Sequence, residues 1–527
     1  MGQLLNGMAL SLFAVFIVVS TGGALLSFSS SGRKLTGVEL LALSAAMGVM
    51  VLGILGIATV SVPVRYEVVA RVGFAILIVI ALLRGHKTQL LARLRNEGGK
   101  STAIALGAWI LAAWTALAVT LVPVKFPAEL PDGAYVIKNH SLPVKIQRTL
   151  GDFPADNYIP YVAGEYLLRD IQFADERPLM PGQELSNRPI LMSLATIPFR
   201  AALQPVLAHP DPLPKFRYVG LRWPDVGSLG SEKGYWNFLA VAVTLNATLI
   251  LGMALLLQRF RLDNRYSLLA YMLFLSSPYF LGETLFAWPK SLAGFFLIVA
   301  GVALWEKRST LLVGLLSGLA YWSHPYAIIF VGCIALYLIW RERNDSEAKR
   351  GFLPFAIAAA TLIIPWFLWT RLYLNIPSDL VQQNFVSNSV VDALWARLVN
   401  IRNIFLPPPE FWSSPDAWCR VMFISLVGAF GVCLIPPVSF ASLCAARKYP
   451  VESLLGVVLP ALLITGVFSG FALPALHGMQ PIAVLFSVLA LWWMRTKLSF
   501  NITLGLVLIQ LVINVAMLGS RALVLVS

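Results

Sequence analysis

Apolar residues occur in about fourteen segments of membrane length, separated by short polar connections and by two long ones. A hydrocarbon core about 30 Å thick requires roughly 17 to 25 mostly apolar residues in a helix, and backbone polar groups cannot stay unpaired in lipid. The pattern therefore predicts an all-α fold, a polytopic transmembrane bundle of about 14 helices in which the two short segments, 290–305 and 310–323, are tilted or broken. The predicted helices are 8–28, 37–60, 65–83, 103–124, 236–257, 266–281, 290–305, 310–323, 325–340, 353–372, 421–441, 453–473, 480–494 and 499–519.

The two long polar connections divide the chain into five parts. These are transmembrane helices 1 to 4 (1–124), a large outer loop (125–235), helices 5 to 10 (236–373), a second outer loop (374–420) and helices 11 to 14 (421–527). Within the loops, apolar residues recur at helical spacing, which predicts amphipathic helices along the membrane surface. These helices are predicted at 158–168 and 189–203, where they would roof a cavity, and at 391–402.

Composition and charge agree with a membrane protein. The chain is 58% hydrophobic and only 13% charged, with a mean hydropathy of +0.76, and soluble surfaces need about twice that charge. Every second connection is basic, and together these seven hold 20 Lys and Arg against 7 acids, which is the positive-inside pattern of cytoplasmic loops. The net charge of +14 thus reflects topology and not a nucleic-acid footprint. The basic connections are 29–36, 84–102, 258–265, 306–309, 341–350, 446–452 and 495–498.

The large outer loop carries the first candidates for chemistry. It holds 12 of the 26 acids together with 12 bases, so it is neutral and free to lie on the extracytoplasmic face. Asp132 follows the fourth helix between a proline and a glycine, which favours a sharp turn that holds its carboxylate near the membrane. Asp156 lies in a second polar turn with Asp152. The two acidic turns, the roof formed by the loop helices and the membrane below them predict an active site, although a solvated loop acid is the ordinary alternative.

Further candidates lie at the outer ends of later helices. Lys290 and Glu283 flank Trp288 between helices 6 and 7, and His324 and His477 occupy outer turns. The ordinary interpretations are a lysine that extends to the interface and histidines that end helices. The alternative is that Lys290, His324 and His477 converge over one cavity, where the ammonium meets a lipid-linked phosphate.

Arginines in the large loop have two possible roles. Arg169 and Arg188 are expected to pair with acids such as Asp170 and Glu184, or to bind an anionic substrate. The four cysteines fall mostly on different membrane elements, which predicts no disulfide and no thiolate metal site. The sequence has no phosphate-binding glycine loop, nucleophile elbow or HExxH motif, and carboxylates alone suit Mg, Mn or Ca equally.

The order of these features resembles the GT-C class of integral-membrane glycosyltransferases. The resemblance covers about 129–340. It consists of an early acid in a long first outer loop (Asp132), the segment Asn187-Arg188-Pro189 before an amphipathic helix, Ser277-Pro278 before a polar turn, and an outer-face His324-Pro325. Many members carry two adjacent acids where this chain has Asp132-Gly133.

The resemblance implies a function. The protein would take a sugar from a polyprenyl-phosphate carrier and transfer it to an acceptor hydroxyl of a glycan, lipid or protein, usually with inversion. Asp132 would be the general base, Asp156 a substitute for the missing second acid, and Lys290, His324 or an arginine would neutralise the departing phosphate. The enzyme would lie in the plasma membrane, the inner membrane of a bacterium, with its active site on the extracytoplasmic face.

Two other functions fit the same pattern. A lipid-linked oligosaccharide polymerase or ligase would have a similar helix count and would depend more on Arg169, Arg188 and Arg217 than on Asp132. A lipid-linked glycan transporter or flippase would need charged residues near mid-membrane and usually an internal repeat. The helix centres are nearly free of charge and we find no repeat, which argues against a transporter. The first four helices are expected to act as a scaffold.

Overall fold

A computed structural model of the protein describes most of the chain outside the long loops. The described residues are 2–62, 65–95, 99–120, 123–124, 134–137, 140–143, 148–149, 159–170, 189–203, 232–344, 351–375, 391–392, 395, 397–399, 429–467 and 478–526.

The described part is a bundle of helices. In chain order the helices are α1 (Gly2–Leu26), α2 (Ser30–Arg33), α3 (Gly37–Ser61), α4 (Tyr66–Lys87), α5 (Leu90–Arg95), α6 (Gly99–Thr120), α7 (Ile159–Leu168), α8 (Leu191–Leu203), α9 (Glu232–Asn246), α10 (Leu249–Arg259), α11 (Asn264–Ser276), α12 (Pro278–Leu285), α13 (Lys290–Trp305), α14 (Thr310–Ser323), α15 (Ala327–Asn344), α16 (Phe352–Leu368), α17 (Ile435–Lys448), α18 (Pro450–Ser453), α19 (Leu459–Val467), α20 (Gln480–Lys497) and α21 (Phe500–Val526). Short π-helical turns occupy Trp369–Tyr373 and Leu454–Val458, and a 3-10 turn occupies Val432–Leu434.

The large loop and the end of the predicted fourth helix form a small amount of β-structure that the sequence does not predict. Two antiparallel pairs form, β1 (Pro123–Val124) with β4 (Arg148–Thr149) and β2 (Ala134–Ile137) with β3 (His140–Pro143). Ala134 lies opposite Pro143, and Ile137 opposite His140.

Helices lie over most of the predicted membrane segments. The segment predicted at 421–441 differs, because Gly431 has a positive φ of 87° and the helix that follows the turn is Ile435–Lys448. Among the described residues, seven helices are long and apolar enough to cross a bilayer, or eight if α11 and α12, which meet at 64°, form one bent span. Helices α13 and α14, with 16 and 14 residues, are short as expected. The described part is thus a helical membrane protein, and about fourteen crossings stays a prediction.

The basic connections meet at one end of the bundle, which we call the basic end. Five of the seven are linked by direct contacts between their own residues. Tyr449 of the sixth packs on Trp305, which directly precedes 306–309, and the seventh follows α15, whose Tyr337 contacts Glu452. The contacts are Arg93 Nη2 to the Leu35 carbonyl (2.9 Å), Ser101 Oγ to Asn264 Oδ1 (2.6 Å), Arg308 Nη2 to Glu39 Oε1 (2.6 Å), Arg259 Nη1 to Glu306 Oε1 (3.9 Å), Arg495 to the Arg261 carbonyl, Tyr337 Oη to Glu452 Oε1 (3.4 Å) and the rings of Trp305 and Tyr449 (6.0 Å). The alternation of charge along the sequence therefore corresponds to one spatial surface.

Glycines allow the N-terminal helices to pack backbone to backbone. A Cβ atom at Gly22 or Gly48 would collide with the backbone of the partner helix, at Ser44 and Val18 respectively, and one at Gly56 would collide with Leu194 of α8. Helices in lipid associate mainly through such close contacts. Lipid tails are as apolar as the helix side chains, so no hydrophobic force drives the helices together. α1, α3 and α8 are therefore fixed together as a unit.

Two of the three predicted loop helices, those of the large loop, exist, and they pack inside the bundle. The third, 391–402, is described only at 391–392, 395 and 397–399, and it stays a prediction. α7 and α8 lie close to the predicted ranges 158–168 and 189–203. Eleven of the thirteen residues of α8 are buried, because Phe199 packs on Phe74 of α4 at 4.9 Å between ring centroids and Arg71 Nε donates to the Ala202 carbonyl at 2.9 Å. Helix α8 is thus part of the core.

Candidate functional site

The candidate site lies next to a break between the helices α11 and α12. Pro278 cannot donate a backbone hydrogen bond, so α11 ends at Ser276 and α12 starts in a new direction. Ser277 caps α12, because its Oγ accepts from the Phe280 N–H at 3.5 Å. The same hydroxyl donates to the Ala429 carbonyl at 3.1 Å. The short α12 therefore carries Glu283 toward the turn that precedes α13.

Lys290 begins α13 and is buried inside the protein. Its side chain is among the largest that are fully buried, with 1% of the residue exposed. The ammonium lies 4.0 Å from the ring centroid of Phe286 and 5.0 Å from that of Trp288, distances typical of cation–π attraction. The Lys290 carbonyl accepts from Tyr326 Oη at 2.9 Å. The interpretation of Lys290 as a residue that extends to the interface is therefore wrong.

Glu283 is held by a helix from the far end of the sequence. Its Oε2 accepts from Gln480 Nε2 at 2.6 Å, and both residues are buried. Its backbone carbonyl accepts from Ser291 Oγ at 3.3 Å, which fixes the start of α13 beside it. The buried rings of Tyr279 and Tyr326 are close enough to interact electrostatically with this carboxylate.

His324 closes the same cluster from the end of α14. Because Pro325 follows, His324 is extended and ends the helix. Its ring centroid lies 4.9 Å from that of Trp288 and 5.0 Å from that of Tyr326. Its Nδ1 accepts from the Tyr326 N–H at 3.3 Å, so the neutral ring carries its proton on Nε2. We call Glu283, Lys290, His324 and Gln480 the Lys290 cluster.

The Lys290 cluster lies at the end of the bundle opposite the basic end. Three helices show this independently. Helices α13 and α20 begin in the cluster, and their other ends lie at Glu306 and Lys497; α14 ends in the cluster, and its other end lies at Ser309. A helix of 16 residues spans about 24 Å at 1.5 Å per residue, which separates the two ends by most of a hydrocarbon core.

The cluster combines groups that suit an anion. The N-termini of α13 and α20 start at Lys290 and Gln480, and helix N-termini favour negative charge. An ammonium and an imidazole lie beside them in a buried, largely aromatic setting, where the low dielectric strengthens electrostatic interactions. Glu283 supplies one negative charge to this arrangement. The geometry therefore suits the binding of an anion.

A second buried ionic group lies between α7 and α8, and we call it the Glu165 triad. Glu165 Oε1 accepts from Arg200 Nε at 2.6 Å, and Glu165 Oε2 accepts from Arg169 Nη2 at 3.1 Å. The side chains of all three residues are nearly inaccessible to solvent. The hydroxyl of Tyr161 also contacts Arg200, and burial raises its pKa. Arg169 thus pairs with Glu165, a partner that the sequence analysis did not name.

The structure brings together three of the seven predicted site residues, namely Glu283, Lys290 and His324. The other four, Asp132, Asp156, Arg188 and His477, lie outside the described residues, and their roles stay predictions. Across the part of the chain that is described, no group of three or more His, Cys, Asp and Glu side chains could hold a metal ion. The divalent cation stays an expectation, since both predicted catalytic acids are outside that part.

Gln480 and Arg200 were missed by the sequence analysis. An amide at the start of a helix looks like an ordinary polar end residue, and nothing local connects it with Glu283. Glu165 lies in the predicted helix 158–168 and Arg169 directly follows that helix, four residues after Glu165. Ion pairs form at this spacing, so the pair could have been predicted. Cys333, Cys433 and Cys444 are free thiols, and Cys419 lies outside the described residues.

Comparisons of the chain with protein-family models, with curated proteins and with solved structures gave no match.

Proposed function

We propose that the chain is a membrane glycosyltransferase that moves a sugar from a polyprenyl-phosphate carrier to an acceptor hydroxyl on the extracytoplasmic face, with inversion. The observation that carries the proposal is the burial of Lys290 beside His324 and two helix N-termini, at the end opposite the basic end. If the basic end is cytoplasmic by the positive-inside rule, the cluster faces the outer leaflet, where a lipid-linked donor would present its phosphate.

The chemistry assigns a role to each group. The acceptor oxygen attacks the anomeric carbon, Asp132 takes the hydroxyl proton, and the bond from that carbon to the phosphate oxygen breaks. The bonding electrons stay on the phosphate, which changes from a monoanionic diester to a dianionic monoester. Lys290 and His324 stabilise the added charge, the kind of preorganised electrostatics that often dominates catalysis. General-base catalysis by Asp132 increases the reaction rate by about 10²- to 10⁴-fold.

The remaining groups support this centre. Glu283, fixed by Gln480, supplies a negative charge to the same buried cluster as the Lys290 ammonium. Arg188 and His477 are proposed to contact the donor phosphate or its sugar. Asp156 is proposed to assist Asp132, and the two carboxylates would hold a divalent cation, which would supply positive charge to the donor phosphate.

Transfer of labelled sugar tests the proposal. Purified protein would be mixed with radiolabelled undecaprenyl-phosphate mannose or glucose and a lipid extract, and loss of label from the donor would be measured. We expect Asp132→Asn to lower the rate at least about 100-fold and Lys290→Met to lower it comparably, while Lys497→Met, an exposed cation at the basic end, leaves it unchanged. A normal rate for Asp132→Asn would remove the assigned base, and a normal rate for Lys290→Met would remove the phosphate site.

A second function is favoured by a specific observation. The Glu165 triad places two buried arginines in the outer-loop helices, as a lipid-linked oligosaccharide polymerase or ligase would use for an anionic carrier. In that case Arg188→Ala would abolish activity on an oligosaccharide donor and Asp132→Asn would retain it. The reverse result supports the glycosyltransferase.

A further inference from the structure

The basic end carries a concentrated cationic surface on the N-terminal helices. The connections 29–36 and 84–102 hold seven Lys and Arg against a single acid, Glu97. Nearly half of the net charge of +14 therefore lies on these two of the seven basic connections. Positive-inside topology explains the sign of this charge, but it does not explain why the charge gathers on two neighbouring loops.

The two connections are fixed together by Arg93. This residue of α5 donates from Nη2 and Nε to the Leu35 carbonyl, at 2.9 and 3.2 Å, and also from Nη2 to the Gly32 carbonyl. Those two carbonyls flank Arg33 and Lys34 in the sequence. Leu90, buried at the start of α5, packs against Gly23 of α1. Arg93 is thus used structurally, and it places Arg33 and Lys34 beside α5.

Four other cations of the two connections face solvent. Arg33, Lys34, Lys87 and Arg95 are exposed, and within the described part of the chain none of them forms an ion pair with a carboxylate. Elsewhere at the basic end, Arg308 is paired with Glu39 at 2.6 Å. The N-terminal connections therefore present four solvent-facing cations close to one another in the sequence, and Arg93 joins the two segments that carry them.

Exposed apolar side chains adjoin these cations. Leu82, Leu83 and Leu91 are 59%, 68% and 78% exposed, and the guanidinium of Arg84 lies 3.9 Å from the ring centroid of the exposed Phe28. Leucines and cations in one band at the end of transmembrane helices match the two parts of a phospholipid, since acyl chains contact the leucines while the phosphate meets the cations.

We propose that this surface, formed by Arg33, Lys34, Lys87 and Arg95 with Leu82, Leu83 and Leu91, binds anionic glycerophospholipid in the leaflet at the basic end. The occupant is set by charge complementarity, because these cations attract a headgroup with a net negative charge, whereas a zwitterionic headgroup also carries an ammonium that they repel. The N-terminal helices thereby acquire a binding role in addition to that of a scaffold, and the inference does not depend on the transfer chemistry.

Native mass spectrometry of detergent-purified protein with added lipid tests this proposal. The probes are phosphatidylglycerol and phosphatidylethanolamine of identical acyl chains. The test variant carries Arg33→Gln, Lys34→Gln, Lys87→Gln and Arg95→Gln. The matched control carries Arg343→Gln, Arg447→Gln, Lys448→Gln and Lys497→Gln, four exposed cations of the same end.

The expected results separate a defined site from general attraction. Wild-type protein and the control should retain phosphatidylglycerol over phosphatidylethanolamine, and the test variant should lose most of that preference. Each exposed cation near a lipid surface contributes about fivefold, so we expect at least a tenfold loss of affinity. Equal losses in the two variants, or no lipid preference in the wild type, would overturn the proposal. An unchanged unfolding midpoint of the test variant shows that the loss is not misfolding.

Discussion

Removal of the carboxylate from the Glu165 triad is the perturbation whose magnitude follows most directly from the structure. Glu165 accepts from Arg169 and Arg200 through both oxygens, and its side chain is inaccessible to solvent. One unit-charge pair at 4 Å is worth about 4 kcal/mol at an effective dielectric of 20. Removal of one partner of a buried pair costs about 3–5 kcal/mol, because the opposite charge loses its compensation. We therefore expect Glu165→Ala to lower the unfolding free energy by about 3–5 kcal/mol.

Reversible unfolding in sodium dodecyl sulfate, followed by tryptophan fluorescence, measures this loss. Glu452→Ala is the matched control, because this exposed glutamate accepts a single hydrogen bond of 3.4 Å and should cost under about 1 kcal/mol. The triple variant Glu165→Met, Arg169→Met and Arg200→Met should be more stable than Glu165→Ala, since it leaves no uncompensated charge. A loss under about 1 kcal/mol for Glu165→Ala, or a triple variant less stable than it, would refute the electrostatic reasoning.

Three further predictions address packing, topology and the site. Gly48→Ala should destabilise the protein by about 1–3 kcal/mol, because the added methyl group meets the backbone of α1, whereas Gly107→Ala, in open space, should be neutral or stabilising by up to about 1 kcal/mol; unfolding midpoints compare them. Cysteine introduced at Gly182 should react with an impermeant thiol reagent outside intact cells, and reaction only after lysis would invert the topology. Gln480→Leu should cost about 1–3 kcal/mol, because the buried Glu283 carboxylate loses a 2.6 Å hydrogen bond; an unchanged midpoint would contradict this.

The helical elements were largely predictable, because lipid permits few backbone structures and the hydrophobic segments have a fixed minimum length. The positions of α7 and α8 also followed from helical periodicity. Their burial did not, because the same apolar face fits a membrane surface or a protein core. The 64° bend after Ser276 was signalled by Pro278, and the close packing at Gly22 and Gly48 depends on which helices become neighbours.

The candidate site was only partly predictable. An outer-face lysine contradicted the charge bias, and this anomaly pointed to Lys290. Its burial could not be inferred, because the rings around it come from the turn before α13 and from residues more than thirty positions later. Gln480 reaches Glu283 across 197 positions of sequence, and no spacing rule connects two such residues. Arg200 likewise joins Glu165 across a long connection.

A cryo-EM structure with bound undecaprenyl phosphate would test the phosphate site most directly, through the distance from a phosphate oxygen to the Lys290 ammonium. We predict an oxygen within about 4 Å of that nitrogen, the range of an ion pair, with His324 on the same phosphate. A phosphate held at Arg169 and Arg200 and remote from Lys290 would contradict the account.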